Sequence, residues 1–333
     1  MKRVLTLLLT TLLLGGCTAL PAEERSFAVA LGVTHADDLW TAHARIPTYQ
    51  TGGGYATVTG EGPTLESALG ALDAASPMEL DLGQLRLLVF SAELARSEAF
   101  PGALTALSGR HDLRMGAALA VTQEDVRALM DALTPTTGSR LSKSIDVLLE
   151  TRIGQGALLP ASLAEVMRMG ERQSPVMMNA GLESGALSLS GAWPLNTEGL
   201  ATAPLSPEDT RLLSLMLGRL TQGTLSLPEG TVRLSGAKAE AELLQPTLQE
   251  AAVRLTLQVV SSSLTEEALS RAVATACLGV LGRLSGSGCD ALGLGRQAVV
   301  HAQDMAQWHD FDWPARYRDV VWSVSVGVAG PAR

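Results

Sequence analysis

Cysteine is scarce in this chain: Cys17, Cys277 and Cys289 are the only three in 333 residues. So few cannot form the disulfide framework that staples small secreted domains. Cys277 falls on the apolar face of a predicted helix and Cys289 follows the loop 285–288, so both read as buried free thiols. Aromatic residues are few as well, at 4% against an apolar fraction of 46%, which leaves the core to Leu, Val and Ala. Basic residues are outnumbered, 25 Lys and Arg against 34 Asp and Glu, for a net charge of −9. That deficit excludes a nucleic-acid footprint and a polybasic membrane patch, both of which need clustered cations. Long apolar runs are missing too. The nearest approach after the N-terminus, residues 268–284, is interrupted by Arg271 and Arg283, so no later segment is suited to span a bilayer.

Motifs that carry chemistry are also absent. The histidines, His35, His43, His111, His301 and His309, form no His-Glu-x-x-His pair and have no second ligand at metal-site spacing. The densest polar knot, His309-Asp310-Phe311-Asp312, is flanked by Trp308 and Trp313 and reads as a turn. There is no Gly-x-Ser-x-Gly elbow and no Walker loop. Gly293-Leu294-Gly295 is a fragment of a dinucleotide fingerprint without its third glycine. Carboxylate pairs such as Glu208-Asp209 and Glu266-Glu267 stand at helix starts, where the helix dipole accounts for them. No catalytic, metal-binding or cofactor-binding residue is assigned, and the chain is not read as an enzyme.

What is present starts at the N-terminus. Lys2 and Arg3 precede eleven uncharged residues, 4–14, followed by Gly15-Gly16-Cys17. A basic start, an apolar stretch and small residues at a cleavage point are the layout of an export signal. Eleven residues make a helix of about 16 Å against a hydrocarbon core of about 30 Å, too short to span. Small residues directly before a cysteine resemble the bacterial lipobox, so cleavage is expected after Gly16 and lipid attachment at Cys17. About 317 residues would remain, near −11 in charge, enough for two or three domains.

Residues 26–34 and 39–48 read as two strands joined by the short polar connection 35–38, and 55–59 as a third. Thr64 caps a helix with Leu65, Ala68, Leu69 and Leu72 inside. Residues 85–90 suit a strand buried on both faces. A helix starting at 92 is expected to stop at Pro101-Gly102, and 114–121 reads as a strand. Thr122 is the expected cap of the next helix, with Asp125 three positions on. Leu141, Ile145, Leu148 and Leu149 line another, and a shorter helix follows Pro160; this middle section shows no strand of comparable strength. Residues 185–195 alternate like a strand. Ser206-Pro207-Glu208-Asp209 is the clearest helix start, with Pro at the first helical position. Strands follow at 232–244 and 251–261, the longest helix at 265–284 with Gly286 placed to end it, and a valine-alternating strand at 320–328.

Strands and helices alternate in blocks, which favours an α+β fold of two to three domains, each a mixed or antiparallel sheet packed with helices. The expected division is a cleaved signal peptide 1–16, an N-terminal region 17–183 with a possible helical sub-domain at 136–183, and a C-terminal domain 184–333.

Several stretches, in order, resemble the Ger(x)C family, the lipoprotein C subunits of spore germinant receptors. The strand ending in Leu31-Gly32 follows Cys17 at the family's distance. Gly60-Glu61-Gly62-Pro63-Thr64-Leu65-Glu66-Ser67-Ala68 looks like its Gly-Glu-Gly-x-Thr-x-x-Glu-Ala, with the Glu one position off. Residues 84–96 resemble its strand and helix start, and Asp209-Thr210-Arg211 its mid-chain helix. Asp290-Ala291-Leu292-Gly293-Leu294-Gly295 is similar to Asp-x-Phe-Gly-Phe-Gly, followed by Trp308, Trp313 and a strand closing on Gly330. Leu292 and Leu294 replace the motif's aromatics, and the usual Trp after the lipid cysteine is absent. The resemblance implies three α+β domains, a non-catalytic subunit on the outer face of the spore inner membrane, and two integral-membrane partners, the A and B subunits, in a complex that senses small nutrients. Gly60, Gly62, Thr64, Glu66, Asp290, Gly293, Gly295 and Trp308 are its expected structural positions.

Two other readings stay open at this level. A solute-binding lipoprotein of a transport system is equally acidic and anchored, and would have two lobes with parallel sheets around a ligand cleft. An exported hydrolase with a scattered site has no nucleophile or metal motif to support it.

Overall fold

The computed structural model describes residues 24–48, 54–135, 140–169, 173–220, 222–244, 248–302 and 304–329. Cys17, the leader before it and Gly330 lie outside the described residues.

The stretch expected as one strand at 26–34 is two. β1 (Arg25–Phe27) pairs in parallel with β5 (Glu79–Asp81) as a separate two-stranded sheet. β2 (Ala30–Ala36) belongs to the main sheet and turns into β3 (Leu39–Thr48). Asp37 and Asp38 hold φ of 50° and 58°, the left-handed pair of a two-residue hairpin turn that Asp tolerates better than most residues. β4 (Gly54–Gly62) then pairs antiparallel with β3. α1 (Leu65–Ala75) follows, capped as expected by Thr64, whose hydroxyl accepts from Ser67 N while Ser67 Oγ accepts from Thr64 N.

β6 (Leu87–Ser91) is the strand expected to be covered on both sides, and Leu87, Leu88, Val89 and Phe90 are all fully buried. Helix formation then starts at α2 (Ala92–Ala95), breaks, and resumes as α3 (Ala99–Ser108). Pro101 does not stop it. Pro101 falls in the first turn of α3, where a backbone N–H would have no intrahelical acceptor to lose. β7 (Ala118–Thr122) ends at the expected cap residue, but the cap is Asp125, whose carboxylate accepts from Ala128 N at the head of α4 (Val126–Ala132). Thr122 Oγ1 accepts from Glu124 N instead, tightening the approach.

The stretch read as a helical middle holds α5 (Leu141–Gly154) and α6 (Leu163–Arg168) and then β8 (Val176–Glu183), which its sequence did not signal. β8 pairs in parallel with β7 and antiparallel with β9 (Ala186–Pro194). The expected division at 183/184 falls in the turn of this β8–β9 hairpin. The resulting seven-stranded sheet has the order β4-β3-β2-β6-β7-β8-β9, parallel in the middle and antiparallel at both flanks. Its side chains alternate between two cores. Leu88 and Phe90 meet α1, α2, α3 and α6; Leu87 and Val89 meet Val126, Leu129 and Met130 of α4 and Leu141 and Ile145 of α5. At about 1.5–3 kcal/mol for each fully buried Leu, Val or Phe, β6 is among the strongest contributors to this sheet.

α7 (Pro207–Met216) begins at Ser206 as expected, with Ser206 Oγ accepting from Asp209 N. β10 (Gly223–Leu227), β11 (Gly230–Leu244), β12 (Glu250–Ser262) and, after α8 (Glu266–Gly286), the terminal β13 (Val321–Ala329) form a second sheet in that order. β12 and β13 are parallel, the other pairs antiparallel. Two parallel lobes are therefore not what these residues build. Val253, Leu255 and Leu257 of β12 face α7 and α8, while Arg254 faces outward between Glu240 and Glu242. α8 runs through Gly286 rather than ending before it, and the left-handed exit is taken by Gly288 at φ 71°. Between α8 and β13 lie α9 (Gly295–Ala298), α10 (Met305–Phe311) and α11 (Trp313–Arg318). Both sheets are mixed and packed by helices, the expected α+β architecture.

Candidate functional site

The densest arrangement of the expected positions is the loop that leaves α8. Asp290 is 2% exposed. Its Oδ1 accepts from Leu294 N at 2.9 Å, and its Oδ2 from Gly295 N at 2.7 Å and Trp313 Nε1 at 3.0 Å. The carboxylate thus closes the loop 290–295 on itself and ties it to α11. Gly293 bends the loop at φ 73°, a conformation open to glycine at little cost. Burial pushes the Asp290 carboxyl above its ordinary range, and the three N–H donors oppose that shift.

The same loop reaches the seven-stranded sheet. Ser174 N, on the approach to β8, donates to the Asp290 carbonyl at 2.9 Å, and Gln173 Nε2 donates to the Ala291 carbonyl at 3.1 Å. A Cβ on Gly293 would stand 3.1 Å from the Gln173 side chain. Trp308 is buried in the aromatic cluster behind the loop and stacks near Phe311, which is stacked in turn on Trp313. Sequence reasoning placed weight on Trp308; the tryptophan that reaches Asp290 is Trp313, and spacing alone does not distinguish the two. Leu294, at a motif aromatic position, is fully buried in this cluster.

At the other end, Gly60 and Gly62 let β4 lie against α1. A Cβ on Gly60 would overlap the backbone of Ala68 and Leu72, and one on Gly62 would overlap Ser67. The two glycines set how closely strand and helix approach, and Thr64 starts the helix there. Glu66 projects outward, its Oε1 3.7 Å from Arg110 Nη1. One buried cation was not signalled by the sequence. Arg45, 6% exposed, donates to the carbonyls of Asp131 and Leu133 at 3.1 Å each, holding the C-terminal end of α4 to β3.

Asp312 has φ 46° and serves both as C-cap of α10 and N-cap of α11, so the His309–Asp312 knot is a turn. Among the described residues no group of His, Cys, Asp and Glu is placed to hold a metal ion. Cys277 and Cys289 are free and buried, and burial pushes the Cys277 thiol up to about 12. The chemistry of the site is that of a brace: buried hydrogen bonds that join one sheet to the other.

Residues 19–179 match the family model described as the spore germination protein N-terminal domain. The crystal structure of the GerBC protein is similar in fold, with a TM-score of 0.53 at 14% sequence identity, covering 91% of this chain and 98% of that one. No curated protein matches the chain in sequence. Residues 19–179 therefore belong to the spore germination protein N-terminal domain family, and the fold across both sheets follows that of GerBC.

Proposed function

We propose that this chain is the lipid-anchored, non-catalytic subunit of a nutrient germinant receptor, working in spore germination beside two integral-membrane partners, the A and B subunits. The observation that carries the reading is the match to the germination-protein N-terminal domain over residues 19–179, in a chain whose fold follows GerBC over 91% of its length. The leader supports the rest. Cleavage after Gly16 leaves Cys17 as the first residue, and its lipidation holds the exported chain on the outer face of the spore inner membrane. The mature subunit would divide into an N-terminal germination region to about residue 183 and a C-terminal Ger(x)C domain.

Anchoring has a physical role here. No helix among the described residues is long and apolar enough to cross a membrane. A single acyl chain binds a bilayer only marginally, whereas the several chains of a bacterial lipid-modified cysteine hold firmly. Confinement then raises the effective concentration toward membrane partners, so modest interfaces suffice. The test is Cys17→Ala in the native host, with fatty-acid labelling, membrane fractionation and nutrient-triggered germination as readouts. Loss of label, loss from the membrane fraction and reduced germination are expected. Normal nutrient response in a strain lacking the whole protein, with no redundant receptor, would sink the proposal.

A further inference from the structure

A cleft of about 710 Å³ opens between α1, the β1–β5 pair and the loop 110–112. Its floor is apolar, with Leu69 and Leu82 buried and Leu80 half-buried. Its rim is charged and unbalanced. Arg25 pairs with Asp81 at 2.8 Å, and Arg110 forks onto Asp112 at 2.7 and 3.0 Å, so both guanidiniums in the cleft are already matched. Three more carboxylates line it, those of Glu66, Asp73 and Glu79. Glu66 reaches Arg110 only at 3.7 Å, and among the described residues Asp73 and Glu79 stand within ion-pair distance of no cation.

Two further observations bear on what enters. Gly70 faces the cleft from the middle of α1, where a Cβ would meet nothing within 4 Å. A mid-helix glycine is destabilising relative to alanine, and no close packing here requires one; its missing side chain widens the cleft. The other observation is position. Arg25 follows Cys17 by eight residues, and a fully extended chain advances at most ~3.6 Å per residue, so the Arg25 edge stays within about 29 Å of the anchor. A negative cleft held there is repelled by anionic headgroups and attracted to cationic side chains.

We propose that this cleft docks a basic, Lys- or Arg-bearing loop of a membrane partner. A cationic head sits among Glu66, Asp73 and Glu79, and its aliphatic stem lies over Leu69 and Leu80. The proposal rests on the anchored-subunit reading above.

The test uses the full-length chain in its own membrane, with the photo-crosslinking residue p-benzoylphenylalanine replacing Gly70, or replacing exposed Lys238 on β11 as a control. The expected adduct from position 70 maps by peptide sequencing to a segment of net positive charge in an integral-membrane protein. Glu66→Lys with Glu79→Lys should reduce it about tenfold, and Glu66→Gln with Glu79→Gln by less, each variant keeping a cooperative melting transition, since both side chains are exposed. No adduct above the Lys238 control overturns the docking site. So does an adduct indifferent to charge reversal, or one formed with lipid, a small molecule or an uncharged segment. Wild-type chain recovered outside the membrane fraction overturns the anchor reading and the membrane-side partner together; membrane-bound chain without the adduct overturns the cleft alone.

Discussion

Trp313 and Asp290 are joined by a hydrogen bond of 3.0 Å from indole Nε1 to carboxylate Oδ2, with both side chains buried. Through it the exit of α8, the aromatic helices before β13 and, by the Asp290 carbonyl, the approach to β8 share one residue. Removing the carboxylate leaves three N–H donors without their acceptor. Asp290→Ala should therefore cost about 3–5 kcal/mol, and Trp313→Phe about 1–2, because it removes one donor and keeps the other bonds. Denaturant unfolding of both variants and of the double variant measures this. Additive losses would show that the two residues act separately.

The pH dependence of that bond has a definite sign. Burial raises the folded carboxyl of Asp290 above its ordinary value of 3.8. As pH rises through 3.8 the unfolded chain ionises first, so the stabilising share of this group is complete below that value and is lost as pH climbs to the folded one. The stability advantage of wild type over Asp290→Asn should widen on acidification from neutral toward pH 3.8. An advantage that narrows would show that the three donors outweigh burial.

Gly60 and Gly70 lie on either side of the β4–α1 contact and should respond in opposite ways. Gly60→Ala forces a Cβ into the backbone of Ala68 and Leu72 and should cost about 3 kcal/mol or more. Gly70→Ala adds a Cβ in open space and should stabilise by about 0.5–1 kcal/mol through helix propensity. Melting temperatures of the two single variants decide it; a loss at position 70 would contradict the open geometry.

The thiols give a measure of core integrity. With Cys277 pushed up to about 12 and Cys289 also raised by burial, neither should react with a thiol reagent near pH 8 in the folded chain. Both should label fully on unfolding. Rapid labelling of Cys277 without denaturant would mean that α8 opens locally.

Local signals in this chain were strong where one short segment supplies its own reason. Ser206-Pro207 and Thr64 start helices because cap and first turn are adjacent in sequence. The 30–48 hairpin closes on two aspartates for the same reason, and residues 87–90 are apolar enough to declare two-sided burial. Signals weakened where a partner far along the chain decides. β8 is held between β7 and β9, and its own run of Val176, Met177 and Met178 gives way to Asn179, so alternation never establishes itself. β1 is a strand only because residues 79–81 lie beside it. Thr122 and Asp125 both suit a cap, and pairing along β7 assigns Thr122 to the strand.

The candidate site divides in the same way. Gly60, Gly62, Asp290 and Gly293 stand out in sequence as turn and close-approach residues. Which atoms they approach is not written there: Ala68 and Leu72 for Gly60, Trp313 and Ser174 for Asp290. From sequence alone came an acidic, cysteine-poor chain of α+β blocks and a family's order of motifs. Tertiary structure alone decided that Trp313 rather than Trp308 completes the brace, that Arg45 holds α4, and that Glu66 lies on the rim of a negative cleft. Capping, turn and burial preferences act over three or four neighbouring residues and leave a periodic trace. Hydrogen bonds and charge clusters between distant segments leave none until packing brings them together.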